Sequence, residues 1–203
     1  KTLRGPRGGM IMMGKDFENP WGLTTPKGDI RMMSHVLDMS VFPGNQGGPL
    51  MHIIAAKAVA FGECLTDEFF RYAIQVKKNA QAMAEAFNKR GYKLISGGTD
   101  NHMFMLNVTG FGINGKEAQH LLDTVSITLN KNAVPYETLS PFKTSGVRIG
   151  SAAVTSRGFK EAQATKVAEF IIRAFQNKDD QAALDQIKSE VIALTDAFPL
   201  YEA

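Results

Sequence analysis

The strongest constraint on the fold is the change of hydrophobic periodicity along residues 92–198. Four short apolar runs, YKLIS, HMFMLNV, SITLN and GVRIG, favour β-strands because turn-forming residues bound them. Around them lie NGKEAQHLLDTV and two C-terminal stretches through residues 164–175 and 184–198, where apolar residues recur at helical spacing. Asn114 and Glu117 have the spacing of a helix capping box. This part of the chain therefore predicts a self-contained α/β unit.

The first ninety residues have a different balance of elements. GGMIMMG is a short apolar run between glycines, which predicts one buried strand. Helical spacing of apolar residues then predicts helices through 50–61 and 72–87, the second ending near Gly91. One strand is too little sheet for these helices to cover. We therefore expect the end of a larger domain at 1–85, followed by a complete small domain at 86–203.

Composition narrows the classes of function. The 203-residue chain has 23 Lys and Arg against 20 Asp and Glu, and this net charge of +3 is spread along the sequence. So small a charge does not by itself indicate a nucleic-acid partner. Apolar runs stop well short of the roughly 18 residues of a membrane span. The single cysteine, Cys64, fits a reducing compartment, and the four histidines lack metal-ligand spacing, so we expect no metal site.

Two segments could bind anions. Gly47 and Gly48 in FPGNQGGPL precede a predicted helix, where backbone N–H groups and the helix dipole favour phosphate. A turn that needs positive φ is the alternative. Arg148 in SGVRIG lies in a predicted strand between glycines, and its guanidinium matches a carboxylate bidentately. The alternative for Arg148 is an internal ion pair.

Two further features stay open on the residues alone. Asn130 and Asn132 in NKNAVP are either amides that bind a heterocycle or simple turn-formers. Lys1, close to Arg4 and Arg7, is either a terminal residue or an amine that forms a Schiff base. The RGPRGG segment also has the look of a basic nucleic-acid arm, although it lacks interleaved aromatic residues.

Five segments in the same order give the chain a specific resemblance. KTLRGPRGG, VFPGNQGGPLMHIIAAKAVAFGE, SGGTDNHMFMLNV, ITLNKNAVP with SPF, and TSGVRIGSA with TSRGFKEA resemble the second half of the serine hydroxymethyltransferase family. The resemblance covers essentially the whole chain. It implies an α/β fold of the fold-type I class of pyridoxal 5′-phosphate-dependent transferases, with the end of the large cofactor domain followed by the small C-terminal domain.

The resemblance also implies roles for particular residues. Lys1 corresponds to the lysine that holds pyridoxal 5′-phosphate covalently. Gly47 and Gly48 correspond to glycines that reach the cofactor phosphate of the neighbouring subunit, and Arg148 to the arginine that binds the amino-acid carboxylate. The positions that correspond to the tetrahydrofolate site are Asn132, Ser140, Pro141, Phe142 and, across the dimer interface, Phe42.

The implied activity is the interconversion of serine and glycine, with transfer of the one-carbon unit to tetrahydrofolate as co-substrate. The resemblance implies a cytoplasmic homodimer or tetramer without a nucleic-acid or membrane partner. The family's other active-site residues precede the lysine, so we expect a missing N-terminal half as partner and an inactive fragment without it. Ser151 and Ala152 stand where the family usually has Thr-Pro.

Two rival functions remain at this point. Another fold-type I enzyme, such as a threonine aldolase or a glycine acyltransferase, would share the lysine and arginine but would not need the folate positions. A basic nucleic-acid-binding module using RGPRGG would bind oligonucleotides with a strong dependence on salt.

Overall fold

The chain forms two compact units, and the division between them falls between Thr66 and Asp67. The computed structural model describes residues 3–201. The first unit contains α1 (Met33–Met39), a π-helical turn (Ser40–Asn45) and α2 (Met51–Cys64). The second contains α3 (Asp67–Asn88), β1 (Met103–Asn107), α4 (Gly115–Thr124), β2 (Asn130–Asn132), β3 (Gly146–Gly150), α5 (Ala152–Ser156), α6 (Glu161–Gln176) and α7 (Gln181–Asp196). None of the helices between residues 3 and 201 has the length and apolar character needed to cross a membrane.

Helix α3 crosses the predicted domain boundary. It runs unbroken from Asp67 to Asn88 and belongs entirely to the second unit. The compact units therefore divide some twenty residues earlier than position 85. The assignment of 1–85 to a cofactor domain and of 86–203 to a small domain remains a prediction.

The sheet of the second unit is antiparallel, with β3 in its centre. β1 and β2 pair with the two edges of β3, and the strand order is β1-β3-β2. Val147 and Ile149 of β3 point inward and are buried, whereas Arg148 between them is exposed. This alternation is the period of two that a half-buried strand requires. The predicted strands HMFMLNV and GVRIG are confirmed.

The core lies on the inward face of this sheet. Phe104 and Leu106 of β1 pack with α3, α4, α6 and α7 in one apolar cluster. Phe87 of α3 meets Phe104 edge to face, with 5.8 Å between ring centroids. Phe111 contacts Phe175 of α6 at 4.9 Å. The predicted helices of the second unit are confirmed, including the capping box between Asn114 and Glu117 at the start of α4.

Of two further predicted strands in the second unit, YKLIS is wrong, and SITLN is displaced because β2 begins only at its last residue, Asn130. In YKLIS only Leu94 makes a bridge, to Leu106, before the backbone turns at Ser96 with φ 64°. In SITLN the chain is still leaving α4, and Ile127 donates its N–H to the carbonyl of Leu122. Both segments place apolar side chains against the core. Their apolar residues therefore reflect packing against the core, which also occurs in segments that do not pair as β-strands.

The predicted buried strand GGMIMMG is also wrong. Residues 9–13 are exposed and form no ladder with any strand among the described residues. A β-strand needs a neighbouring strand for its N–H and C=O groups. Here the described residues provide only the Lys57 ammonium, which donates to the Gly9 carbonyl at 3.3 Å. The following loop is better ordered than its turn-rich sequence indicates. The buried Asn19 donates to the carbonyls of Leu23 (2.9 Å) and Arg31 (2.7 Å) and so holds the loop closed.

A buried polar network joins α3 to α5 and to the turn before α6. Asn79, fully buried in α3, donates to the hydroxyl of Thr155 and to the carbonyl of Phe159, both at 2.8 Å. Gln75 donates to the Asn79 carbonyl at 2.9 Å. Because every polar atom of the Asn79 amide group has a partner, this buried side chain carries no desolvation penalty for an unmade bond. The network fixes the segment that follows β3.

A two-point ion pair joins α6 to α7. Arg173 donates through Nη1 and Nη2 to the two carboxylate oxygens of Glu190, at 2.7 and 2.9 Å. Gln186 donates to the same carboxylate at 3.1 Å. The Arg173 hydrogen bonds, followed by that from Gln186, lower the pKa of Glu190 to about 2.

We expect Glu190→Gln to destabilise the protein by less than about 1 kcal/mol, since both partners are partly exposed and solvent screens them. The pKa of Glu190 falls from 4.5 to about 2 on folding, so its contribution is present above pH 4.5 and is lost as the pH falls towards 2. Melting temperatures of the native protein and the variant should therefore converge across that window. A difference that stays constant from pH 7 to pH 2 would contradict this assignment. Glu85→Gln, which removes an exposed pair with Lys89, controls for the loss of one charge.

Candidate functional site

Arg148 is a cation on the open face of the sheet, and it forms no ion pair among residues 3–201. Its neighbours Val147 and Ile149 point into the core, which forces the Arg148 side chain to the opposite face. The ion pairs found among residues 3–201 do not include Arg148. The alternative prediction, that Arg148 forms an internal ion pair, therefore does not hold within the described part of the chain. An exposed guanidinium in mid-strand is free to bind a carboxylate from solution.

Asparagines and glycines surround Arg148 on the same face. The register places Met105 and Asn130 directly opposite it on the two flanking strands. Asn132 lies opposite Gly146, and its amide donates to the Met105 sulfur at 3.1 Å and to the Ala133 carbonyl at 2.7 Å. Arg148 and Asn132, assigned separately from the sequence, therefore share one sheet face.

The loop after β2 carries the other positions expected to bind folate. Ser140 accepts hydrogen bonds from the N–H groups of Lys143 (2.9 Å) and Thr144 (3.0 Å), which makes a tight turn around Pro141 and Phe142. Lys131 of β2 donates from Nζ to the Pro141 carbonyl at 2.7 Å. The Phe142 ring is 82% exposed. The loop is therefore attached to the sheet while its apolar tip faces solvent.

Glu137 organises this loop, and sequence reasoning missed it. Its carboxylate accepts the hydroxyl of Ser145 at 2.6 Å and the N–H of Leu139 at 2.9 Å. These bonds lower the pKa of Glu137 to about 2, and the Ser145 hydroxyl contributes most, followed by the Leu139 N–H. An acidic residue in a turn-rich stretch is common, and its partners lie up to eight positions away. No local pattern in the sequence could have identified it.

Ser151, the residue after β3, stands where the family usually has threonine, and the structure accommodates this difference. Ser151 is fully buried, and its hydroxyl donates to the Val76 carbonyl at 2.6 Å, with the His102 carbonyl also within reach at 3.2 Å. The Ser151 N–H also donates to His102 at 2.9 Å. These bonds fasten the end of β3 to α3 and to the residue before β1. The hydroxyl thus stabilises the strand that presents Arg148.

Gly47, Gly48 and Phe42 lie in the first unit. A side chain added at either glycine would meet open space, and neither glycine has the positive φ that the turn interpretation required. They precede α2, which begins at Met51 without a side-chain cap. Phe42 lies in the π-helical turn with 62% of its surface exposed. Lys1 lies outside the described residues, so its role stays a prediction.

The N-terminus of α4 docks onto the segment that leads into β3. Gly115 and Lys116 donate their N–H groups to the carbonyls of Thr144 (2.9 Å) and Lys143 (3.0 Å). A Cβ at Gly115 would collide with the Thr144 hydroxyl and the Gly146 carbonyl. The absence of a side chain at Gly115 therefore allows this close approach.

The second unit is thus an α/β unit that presents Arg148, Asn130 and Asn132 on one open face of an antiparallel sheet. A family model described as Serine hydroxymethyltransferase matches residues 1–171. This match spans most of the chain, which therefore belongs to the serine hydroxymethyltransferase family. Members of the family are pyridoxal 5′-phosphate-dependent transferases that act on serine and glycine and use tetrahydrofolate.

We expect Gly115→Ala to destabilise the protein by about 1–3 kcal/mol, because the added methyl group must push apart a packed backbone contact. Alanine is the better helix former, so propensity alone predicts the opposite sign. Urea unfolding of the native protein and the variant would measure the difference. Gly110→Ala, where the added Cβ meets nothing within 4 Å, is the matched control. Equal stability of Gly115→Ala and the native protein would show that the contact relaxes freely.

Proposed function

We propose that this chain is the part of a serine hydroxymethyltransferase that binds the substrate carboxylate, the cofactor phosphate and tetrahydrofolate. The reaction is the interconversion of serine and glycine, with the one-carbon unit passed to tetrahydrofolate. The observation that carries the proposal is the exposed Arg148, which has no counter-ion in the described part of the chain and lies on one face with Asn132. The family membership supplies the chemistry.

Arg148 binds and orients the amino acid in this proposal. Its planar guanidinium offers two parallel N–H donors to the substrate carboxylate, which fixes the amino acid in rotation as well as in position. Gly150 leaves room for the ligand beside the strand, since a Cβ there would meet no atom closer than 3.6 Å, whereas Val134 fills the space at Gly146. A fixed carboxylate determines which bond at Cα is aligned for cleavage, and this alignment is a large part of the rate gain in such reactions.

The residues of the first unit fit the phosphate of pyridoxal 5′-phosphate. Gly47 and Gly48 present backbone without side chains, and the uncapped start of α2 follows them. Lys1 provides the amine that holds the cofactor. Pyridoxal 5′-phosphate, when bound, supplies the electron sink for cleavage of the Cα–Cβ bond.

The first unit also exposes an apolar helix, α2, that other parts of the protein would cover. In α2 only Ala60 is buried, although the helix MHIIAAKAVAFGEC is apolar on nearly every side. A helix that is apolar all round belongs inside a larger structure. We propose that the N-terminal half of the protein and a second copy of the chain cover this helix, in a cytoplasmic homodimer or tetramer. Phe42, exposed in the same unit, reaches folate across that dimer interface.

Dependence on tetrahydrofolate separates the proposal from its closest rival. The full-length protein should convert serine to glycine at a rate that rises with tetrahydrofolate and saturates. A threonine aldolase would cleave its substrate at the same rate without folate, and that result would overturn the folate assignment. Salt-sensitive binding to a generic oligonucleotide, with no activity on serine, would favour a nucleic-acid module instead.

We expect Arg148→Ala to raise the KM for serine about a hundredfold, because a charge-assisted two-point contact is lost. Arg148→Lys keeps the charge but loses the fork geometry, and we expect an intermediate loss of about tenfold. Steady-state kinetics on the full-length protein would measure both. Arg71→Lys, on the exposed side of α3, is the control and should leave the KM unchanged. An unchanged KM in Arg148→Ala would remove Arg148 from the substrate site.

We expect borohydride to fix pyridoxal 5′-phosphate permanently on the amine of Lys1, because the linkage between a lysine and an aldehyde is reducible. Peptide mass spectrometry of the treated protein would locate the adduct. Lys15, in the same unit, is the internal control and should stay unmodified. An adduct spread over several lysines would indicate non-specific reaction and argue against a built cofactor site.

A further inference from the structure

One carboxylate closes the loop of residues 133–145 that joins β2 to β3. Glu137 Oε2 accepts the N–H groups of Val134 (3.2 Å) and Ser145 (2.7 Å). Glu137 Oε1 accepts the N–H of Leu139 (2.9 Å) and the hydroxyl of Ser145 (2.6 Å). The start, middle and end of the loop are thereby joined through one side chain.

The end of the loop at Ser145 is itself fixed to the sheet. Ser145 is buried, and its carbonyl accepts the N–H of Val108, just after β1, at 2.9 Å. The next residue, Gly146, is the first of β3. Through Ser145 the carboxylate of Glu137 therefore sets the loop against the strand that carries Arg148.

Apolar burial does little to hold the loop. Tyr136 is 99% exposed and Phe142 82% exposed, so these rings give the loop little hydrophobic stabilisation. Tyr136 and Thr144 each adopt a left-handed backbone, both with φ 59°, which non-glycine residues hold only where their surroundings enforce it. The bonds to Glu137 and that from Lys131 to Pro141 help to enforce it, together with the bonds that join Thr144 to Ser140 and Gly115.

The Glu137 carboxylate has no capacity left for a ligand. A carboxylate offers about four lone-pair sites, and the donors of Val134, Leu139 and Ser145 occupy both oxygens twice. A role for Glu137 in binding must therefore be exerted through the loop. Ser140, Pro141 and Phe142, the positions expected to bind folate, are among the loop residues that remain open to solvent.

We propose that Glu137 is a positioning residue for tetrahydrofolate, which orders the loop so that Ser140–Phe142 are in place before the co-substrate arrives. The inference rests on the proposed function, since it takes tetrahydrofolate as the ligand of this loop. A preordered loop binds more tightly because its ordering does not have to occur at the moment of binding. Loss of that order lowers the fraction of protein competent to bind and raises the apparent Kd in proportion.

The test compares Glu137→Gln with the native full-length protein loaded with its cofactor. The amide nitrogen of glutamine cannot accept hydrogen bonds, so two of the four bonds are lost. We expect the Kd for tetrahydrofolate to rise about tenfold, while the Kd for glycine changes less than twofold. Hydrogen exchange at the amides of Leu139 and Ser145 should become faster, since their acceptor is weakened.

A milder variant and a matched control complete the design. Ser145→Ala removes only the 2.6 Å hydroxyl bond, so it carries the test even where Glu137→Gln fails to fold, and we expect a rise in Kd of about threefold. Glu190→Gln removes another carboxylate whose hydrogen bonds lower its pKa to about 2, but between α6 and α7. It should leave the Kd for tetrahydrofolate unchanged.

The outcomes separate this inference from the proposed function. An unchanged Kd for tetrahydrofolate in both loop variants would overturn the positioning role alone. Equal losses for glycine and tetrahydrofolate would show a general structural defect and would also overturn it. Native protein that fails to bind tetrahydrofolate at all would overturn the proposed function, and the inference with it.

Discussion

The pairing of β3 on both of its edges is the constraint on which the candidate site depends. Because β1 and β2 fix its register, Val147 and Ile149 enter the core and Arg148 must leave it. A slip by one residue would bury the guanidinium without a partner and expose two core side chains, at a cost that the packed core does not tolerate. The forces that build the core therefore also present the cation to solvent.

Local signals in the sequence predicted the elements whose patterns are complete within themselves. GVRIG matches β3 residue for residue, and the capping box of Asn114 and Glu117 correctly marks the start of α4. Helices α6 and α7 were evident because each carries several turns of apolar spacing. Arg148 and Asn132 were identified by resemblance. Their common sheet face follows only from the register, since β2 and β3 are joined by a loop of thirteen residues.

What the sequence did not predict depends on partners far along the chain. YKLIS and SITLN have strand-like composition, yet only Leu94 of YKLIS bridges the outer edge of β1, and only Asn130 of SITLN joins the sheet, as the first residue of β2. Glu137 is the sharper example. Glu137 is important because it accepts the main-chain N–H groups of Val134, Leu139 and Ser145. The residue types at those positions do not indicate such main-chain hydrogen bonds. Side-chain anchors of loops are therefore recognised from structure much more readily than from composition.

The first unit shows what happens when elements with strong apolar patterns lack a surface to cover. Residues 9–13 have the composition of a buried strand yet are exposed, and α2 is apolar on nearly every side yet buries only Ala60. An added strand would satisfy the open N–H and C=O groups of 9–13, and an apolar layer would cover α2. A sheet flanked by helices offers both. The exposure of residues 9–13 and of α2 is therefore the physical argument for the N-terminal half that we propose as partner.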